Sequence, residues 1–137
     1  MDGDLARHRI AEARVGRLAS VRPDGAPHLV PVCFAVVGDR IVSAVDDKPK
    51  TTPLLQRLAN IRVHPEVALL VDHYSDDWSA VWWARADGSA RVVDSGLERD
   101  ETLAALRAKY DQYRAVAVPG AAIVIEVTRW TGWAYSS

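Results

Sequence analysis

Residues 15–45 read "VGRLASVRPDGAPHLVPVCFAVVGDRIVSAV", and this stretch decides the fold class. "VGRLASV" alternates apolar and polar side chains as a half-buried strand does. "RPDGAP" at 22–27 follows, and its Asp24-Gly25 pair is a hairpin signal. "HLVPVCFAVV" at 28–37 is rich in β-branched and aromatic residues and reads as one long strand. Pro31 inside it has no amide to give a ladder, so a bulge or a sheet edge is expected there. Gly38-Asp39 makes a second tight turn into "RIVSAV". The three runs together predict a three-stranded antiparallel meander.

Working outward, "DLARHRIAEAR" at 4–14 sets Leu5, Ile10 and Ala13 at loosely helical spacing, a short helix. On the other side comes "VDDKPKTTPLLQRLANI" at 45–61. Thr51 or Thr52 can cap a helix there, Pro53 suits its first turn, and Leu54, Leu55, Leu58 and Ile61 form one stripe. His64-Pro65 ends it. "EVALLVDHY" at 66–74 predicts a fourth strand, its unbroken apolar centre suggesting burial on both faces. "AVWWARADGSARVV" at 80–93 reads as a hairpin turning at Asp87-Gly88. Residues 97–114 predict a helix with Leu97, Leu103, Leu106 and Tyr110 on one face, and the chain closes on a tryptophan-rich strand. Six or seven strands joined mainly by hairpins, with a few helices between, indicate an α+β domain on an antiparallel barrel. No repeat, linker or low-complexity tract divides residues 1–137, so one domain is expected.

Bulk properties narrow the function classes. A 137-residue chain with 49% hydrophobic and 26% charged residues is ordinary for a globular protein. Its net charge of −1 gives no global reason to expect nucleic acid. The single cysteine, Cys33, excludes an intramolecular disulfide framework; within an apolar run it is expected to be a small buried hydrophobe, natural in the cytoplasm. Neither a signal peptide nor a membrane-spanning run is visible.

Two constellations could carry chemistry. Two of the three lysines, Lys48 and Lys50, stand where a strand gives way to a helix start bearing threonine hydroxyls. Free amides and the positive end of the helix dipole favour an anion at such a place, and Arg57 lies further along the same helix. The residues alone allow two readings: a phosphate cradle, or a solvated turn in which the lysines pair with Asp46 and Asp47. Five tryptophans are the other feature: Trp78, Trp82, Trp83, Trp130 and Trp133. Trp82 and Trp83 are adjacent in a strand and must point to opposite faces, so one of them meets solvent, a ligand or another subunit. Ordinary barrel packing for one and a shielding loop for the other is the competing account.

The four histidines have no metal-ligand spacing, and "DHYSDDW" lacks the glycine of a calcium loop, so no metal site is expected. No nucleophile motif, P-loop or dinucleotide fingerprint is present. Glu98, Asp100 and Glu101 read as charges at a helix N-terminus. Chemistry with no assignable acid, base or nucleophile points to a borrowed reagent, and no catalytic residue is assigned.

The ordered series P-H-L-V-P-V (27–32), K-P-K (48–50), N-I-x-x-x-P-x-V (60–67), D-H-Y-x-x-D-W (72–78) and W-W-x-R (82–85) resembles a known family. It is similar to the flavin and deazaflavin oxidoreductases of the pyridoxamine 5′-phosphate oxidase-like superfamily, in particular the actinobacterial subgroup that uses coenzyme F-420. The likeness spans roughly residues 15–93. It implies an FMN-binding-type split β-barrel of six or seven antiparallel strands with flanking helices, forming a homodimer with cofactor sites at the interface. It implies that Lys48 and Lys50, with Thr51 beside them and Arg57 beyond, hold the cofactor phosphate. The backbone at Val30, Pro31 and Val32 would lie along the ring system. Trp78, Trp82, Trp83 and Arg85 become candidates for the substrate or dimer surface. F-420 is the expected cofactor and FMN the alternative; a non-catalytic deazaflavin or tetrapyrrole carrier is the reading from another class. F-420 also carries an acidic oligoglutamyl tail, for which Arg14, Arg17, Arg57 and Arg62 are candidates. The C-terminal "TRWTGWAYSS", with Arg129 alone, does not reproduce the substrate-phosphate ligands of vitamin B6 oxidases.

Overall fold

The computed structural model describes residues 1–44, 52–115 and 120–136, with the backbone alone at 52–55. In chain order its elements are α1 (Gly3–Glu12), β1 (Gly16–Val21), β2 (Pro27–Val32), β3 (Ala35–Val37), β4 (Arg40–Ala44), α2 (Thr52–Val63), β5 (Glu66–His73), a 3₁₀ turn (Trp78–Ala80), β6 (Trp82–Val93), α3 (Leu97–Lys109), α4 (Gln112–Ala115) and β7 (Ala122–Ala134). Seven strands form one antiparallel sheet in the order β2-β1-β5-β6-β7-β4-β3.

That order requires closure. β2 and β3 are at opposite ends of the series, yet only Cys33 and Phe34 separate them in the chain. In a flat sheet six strand spacings would hold them about 29 Å apart. Three Cα steps cover at most about 11 Å. The sheet therefore curls until its two ends nearly meet, leaving a split where the chain crosses from one edge to the other. This is the expected α+β split barrel with flanking helices.

The expected meander is corrected here. β1–β2 and β3–β4 are separate hairpins at opposite ends of the sheet, because "HLVPVCFAVV" breaks in its middle. Side chains complete the hydrogen bonding that the break interrupts. The Phe34 amide donates to Tyr110 Oη at 3.2 Å; its carbonyl accepts from Tyr110 Oη at 3.0 Å and Lys109 Nζ at 2.9 Å. Ser43 Oγ donates to the Cys33 carbonyl at 2.9 Å. Phe34 is buried while Cys33 is exposed, which overturns the expectation of a buried thiol: the break turns one side chain inward and leaves its neighbour outside.

The Asp87-Gly88 pair is not a turn either. β6 runs unbroken past it, with a register shift against β7 between Asp87 and Gly88. A side chain at Gly88 would run into the Glu126 carbonyl, so close backbone approach, and not reversal, is what glycine serves there. The predicted helix 97–114 is two pieces, and Leu97 is 74% exposed instead of on the buried stripe; Leu103, Leu106 and Tyr110 are buried as expected.

The core has two parts. Leu18, Val32, Phe34, Ile41, Val67, Leu69, Val71, Ala84, Ala86, Ile123 and Ile125 fill the barrel, with Ala6 and Ile10 of α1 and Leu58 and Ile61 of α2 packed against them. On the outer side of β3, β4 and β7, α3 packs Leu103, Leu106 and Tyr110 onto Ala35, Val42, Ala44 and Val124. Arg91 ties the helix start to the sheet, contacting Glu98 at 2.6 Å and Glu126 at 2.8 Å, with Arg40 also 2.8 Å from Glu126. These bonds hold both carboxyls below the usual range and make Glu98 a structural charge, in keeping with its reading as a helix N-terminal acid.

Candidate functional site

Alternation along β5 and β6 divides the chemistry between two faces. Val67, Leu69 and Val71 face the barrel interior; Ala68 and Leu70 are only half-covered, so β5 is not buried on both faces. On β6, Ala84 and Ala86 point inward and Trp83, Arg85 and Asp87 outward. Cross-strand pairing then sets a row of outward residues: Pro31 (β2), Arg17 (β1), Leu70 (β5), Arg85 (β6) and Thr131 (β7). The next row is Asp72, Trp83 and Trp133.

Where β5 ends and β6 begins, this outer face opens into a cleft of about 290 Å³ lined by Leu70, Asp72, Tyr74, Trp82, Trp83 and Arg85, among others. Trp82 belongs to its inner rim. It packs against the core, its ring stacks on His73 at 6.2 Å between centroids, and the Arg9 guanidinium lies 4.9 Å over it. Trp83 faces the open side, with Arg85 5.7 Å from its ring centre and paired to Asp87 at 3.1 Å. Trp78 lies nearby at 62% exposure on the 3₁₀ turn. Asp77 starts that turn, accepting from the Ser79 amide at 3.1 Å and hydroxyl at 2.7 Å, and these bonds lower its carboxyl pKa. Tyr74 Oη is 3.2 Å from Asp76 and receives a long 3.4 Å bond from Trp78 Nε1. Thus "DHYSDDW" builds a hydrogen-bonded aromatic lip, and no group of His, Cys, Asp and Glu able to hold a metal occurs among the described residues.

The remaining candidates are spread around the barrel. β2 is a sheet edge, as Pro31 required; Val32 is buried, Val30 half-buried, and Pro31 points out beside Arg17. Lys48, Lys50 and Thr51 lie outside the described residues. Arg57 is buried on α2; burial lowers the pKa of His28, and the charges of Arg22 and then Arg57 add to the effect. Arg62 is 3.8 Å from Asp94, whereas Arg14 and Arg17 stand together near the cleft. Sequence reasoning missed Arg9, His73 and Leu70 as individual lining residues. His73 was within a quoted motif, but nothing local marks Arg9, which reaches Trp82 only because α1 packs across β6 and β7.

Comparison with known proteins adds the following. The sequence model of the family described as "Pyridoxamine 5′-phosphate oxidase" matches residues 3–134. No curated protein matches the chain. Among solved structures, conserved hypothetical protein Rv2991 of Mycobacterium tuberculosis is similar with a TM-score of 0.78 and 20% identity, over 98% of this chain and 85% of that one. An FAD binding protein of Mycobacterium smegmatis gives a TM-score of 0.66 and 17% identity, over 97% and 96%. A heme binding protein of the same organism gives 0.71 and 20%, over 94% of this chain and 56% of that one. At these identities the likeness is one of fold.

Proposed function

Because the chain belongs to the pyridoxamine 5′-phosphate oxidase family, we propose that it is a deazaflavin-dependent oxidoreductase, using coenzyme F-420 with FMN as the alternative. The family match over nearly the whole chain carries the flavin-type reading, and the preference for F-420 rests on the motif series K-P-K, D-H-Y-x-x-D-W and W-W-x-R. When bound, the reduced coenzyme would supply a hydride to an electron-poor double bond, the accompanying proton coming from solvent or from a polar residue such as Arg85 or Tyr74. The chain's own contribution is binding, orientation and exclusion of water. Lys48 and Lys50 grip the phosphate with Thr51 beside them, and the backbone of Val30–Val32 flanks the ring. The free edge of β2, with Pro31 outward and no strand paired beyond it among the described residues, supports that placement. Arg57, further along α2, adds its charge to the phosphate cradle.

The active form is a homodimer. Leu29 is 67% exposed on β2, and Trp133 and Tyr135 are exposed on the same side as Trp83. Exposed apolar and aromatic side chains among charged neighbours are suited to contact with a second copy. The substrate is a flat unsaturated organic molecule held near Trp78, Trp83 and Arg85, with Trp82 behind. No described helix is long and apolar enough to cross a membrane, and a single cytoplasmic domain over residues 1–137 fits the reading. A heme binding protein among the similar folds supports one second reading, a non-catalytic carrier of a flavin or tetrapyrrole. The test mixes the protein with reduced F-420 and a panel of quinones, enones and bilins. Reoxidation faster than the protein-free rate with any of them is expected; its absence throughout, with tight binding retained, would leave the carrier.

A further inference from the structure

Beside the aromatic cleft, between α1 and β1, lies a second hollow of about 340 Å³, which shares Asp72, His73 and Trp82 with it. Three arginines, Arg9, Arg14 and Arg17, line this hollow together with two acidic residues, Glu12 and Asp72. Both carboxylates already have partners: Glu12 is 2.7 Å from His8 and Asp72 is 3.6 Å from Arg17. No carboxylate lies within ion-pair distance of Arg9 or Arg14 among the described residues.

Each of these two arginines is instead held by an aromatic face. Arg9 lies over Trp82 at 4.9 Å, and Arg14 over Tyr110 at 4.6 Å while one amino group donates to the Lys109 carbonyl at 3.0 Å. A guanidinium carries five donors in a planar fork, and contact with an aromatic ring through its face leaves the edge donors available. Trp82 lines both hollows, so Arg9 over its ring stands at their junction, whereas Tyr110 and Lys109, which hold the Arg14 guanidinium, line neither. The adjoining cleft provides the opposite chemistry: Leu70, Tyr74, Val81 and Trp83 form an apolar slot suited to a flat ring.

We propose that the two hollows are one binding site for a planar aromatic carboxylate, its ring in the slot beside Trp83 and its carboxylate on Arg9. This rests on the proposed function only in taking the acid as the molecule reduced; the binding itself requires no cofactor. A carboxylate suits the planar fork through two parallel bonds.

Calorimetric titration of the purified protein tests it, with 2-naphthoate, 2-naphthalenemethanol and 2-naphthyl phosphate as probes. Naphthoate is expected to bind at least tenfold more tightly than the alcohol and more tightly than the phosphate. Arg9→Gln should erase the preference over the alcohol, and Arg9→Lys should restore part of it, urea denaturation confirming that both variants fold. Equal affinity for acid and alcohol, or a preference unchanged in Arg9→Gln, would overturn the proposal; tighter phosphate binding would overturn the carboxylate assignment. Parallel titration with F-420 and FMN separates the two readings: loss of the naphthoate preference with cofactor affinity intact defeats this site alone, and the converse defeats the cofactor reading alone.

Discussion

Trp82 and Trp83 are neighbours in the chain and live in different worlds. Trp82 is packed against the barrel core, stacked on His73 and covered by Arg9. Trp83 lies on the outward face in the row of Asp72 and Trp133, with Arg85 5.7 Å from its ring centre. The difference teaches that the tryptophan enrichment has two causes, one of stability and one of recognition, divided by the two-residue period of a strand.

Substitution separates those causes. Trp82→Ala should lose about 2–3 kcal/mol of stability by urea denaturation, somewhat below the cost of deleting a fully buried aromatic because the ring is half-covered. Trp83→Ala should cost less, about 1–2 kcal/mol, because its ring is half-covered too but lies outside the core cluster, while weakening binding in the cleft. Equal destabilisation by both would break the comparison.

The same division appears where backbone is stressed. Gly88→Ala should cost about 2 kcal/mol, since its methyl would meet the Glu126 carbonyl at the β6–β7 bulge. Tyr110→Phe should cost about 1–2 kcal/mol by removing the hydroxyl that serves Phe34 and the Arg14 carbonyl at 2.9 Å. Neither should touch the ligand specificity of the cleft.

The smallest effect is one of pH. Burial, helped by Arg14 and opposed by Cys33, lowers the Lys109 pKa to about 8 from 10.5. The unfolded chain then holds more protons than the folded one between those values, so this group makes stability rise with pH across that window. The melting temperature of the wild type, measured from pH 8 to 10 against Lys109→Met, should show an upward slope that the variant lacks. A parallel course in both proteins would remove Lys109 as the cause.

Much of the barrel was legible because strand alternation, the Asp24-Gly25 hairpin and the α2 stripe are local signals. Gly25 does take the positive φ of +92° that such a turn favours. The failures were long-range. Nothing within "HLVPVCFAVV" says that a tyrosine 76 residues away will supply the hydrogen bonds of a strand break. Asp87-Gly88 has the chemistry of a turn, but continued pairing with both β5 and β7 makes the straight path better. At the site, the aromatic lip was visible in "DHYSDDW" and "WWAR", whereas Arg9 became a neighbour of Trp82 only through helix docking.

The central claim is that Lys48 and Lys50 anchor the phosphate of a flavin-type coenzyme, and binding to the doubly substituted protein tests it most directly. Tryptophan fluorescence should report binding of F-420, and more weakly of FMN, to the wild type. Lys48→Ala with Lys50→Ala should weaken that binding at least tenfold, given about 1.5–3 kcal/mol for each charge-assisted phosphate contact. Unchanged affinity in the double variant would contradict the account.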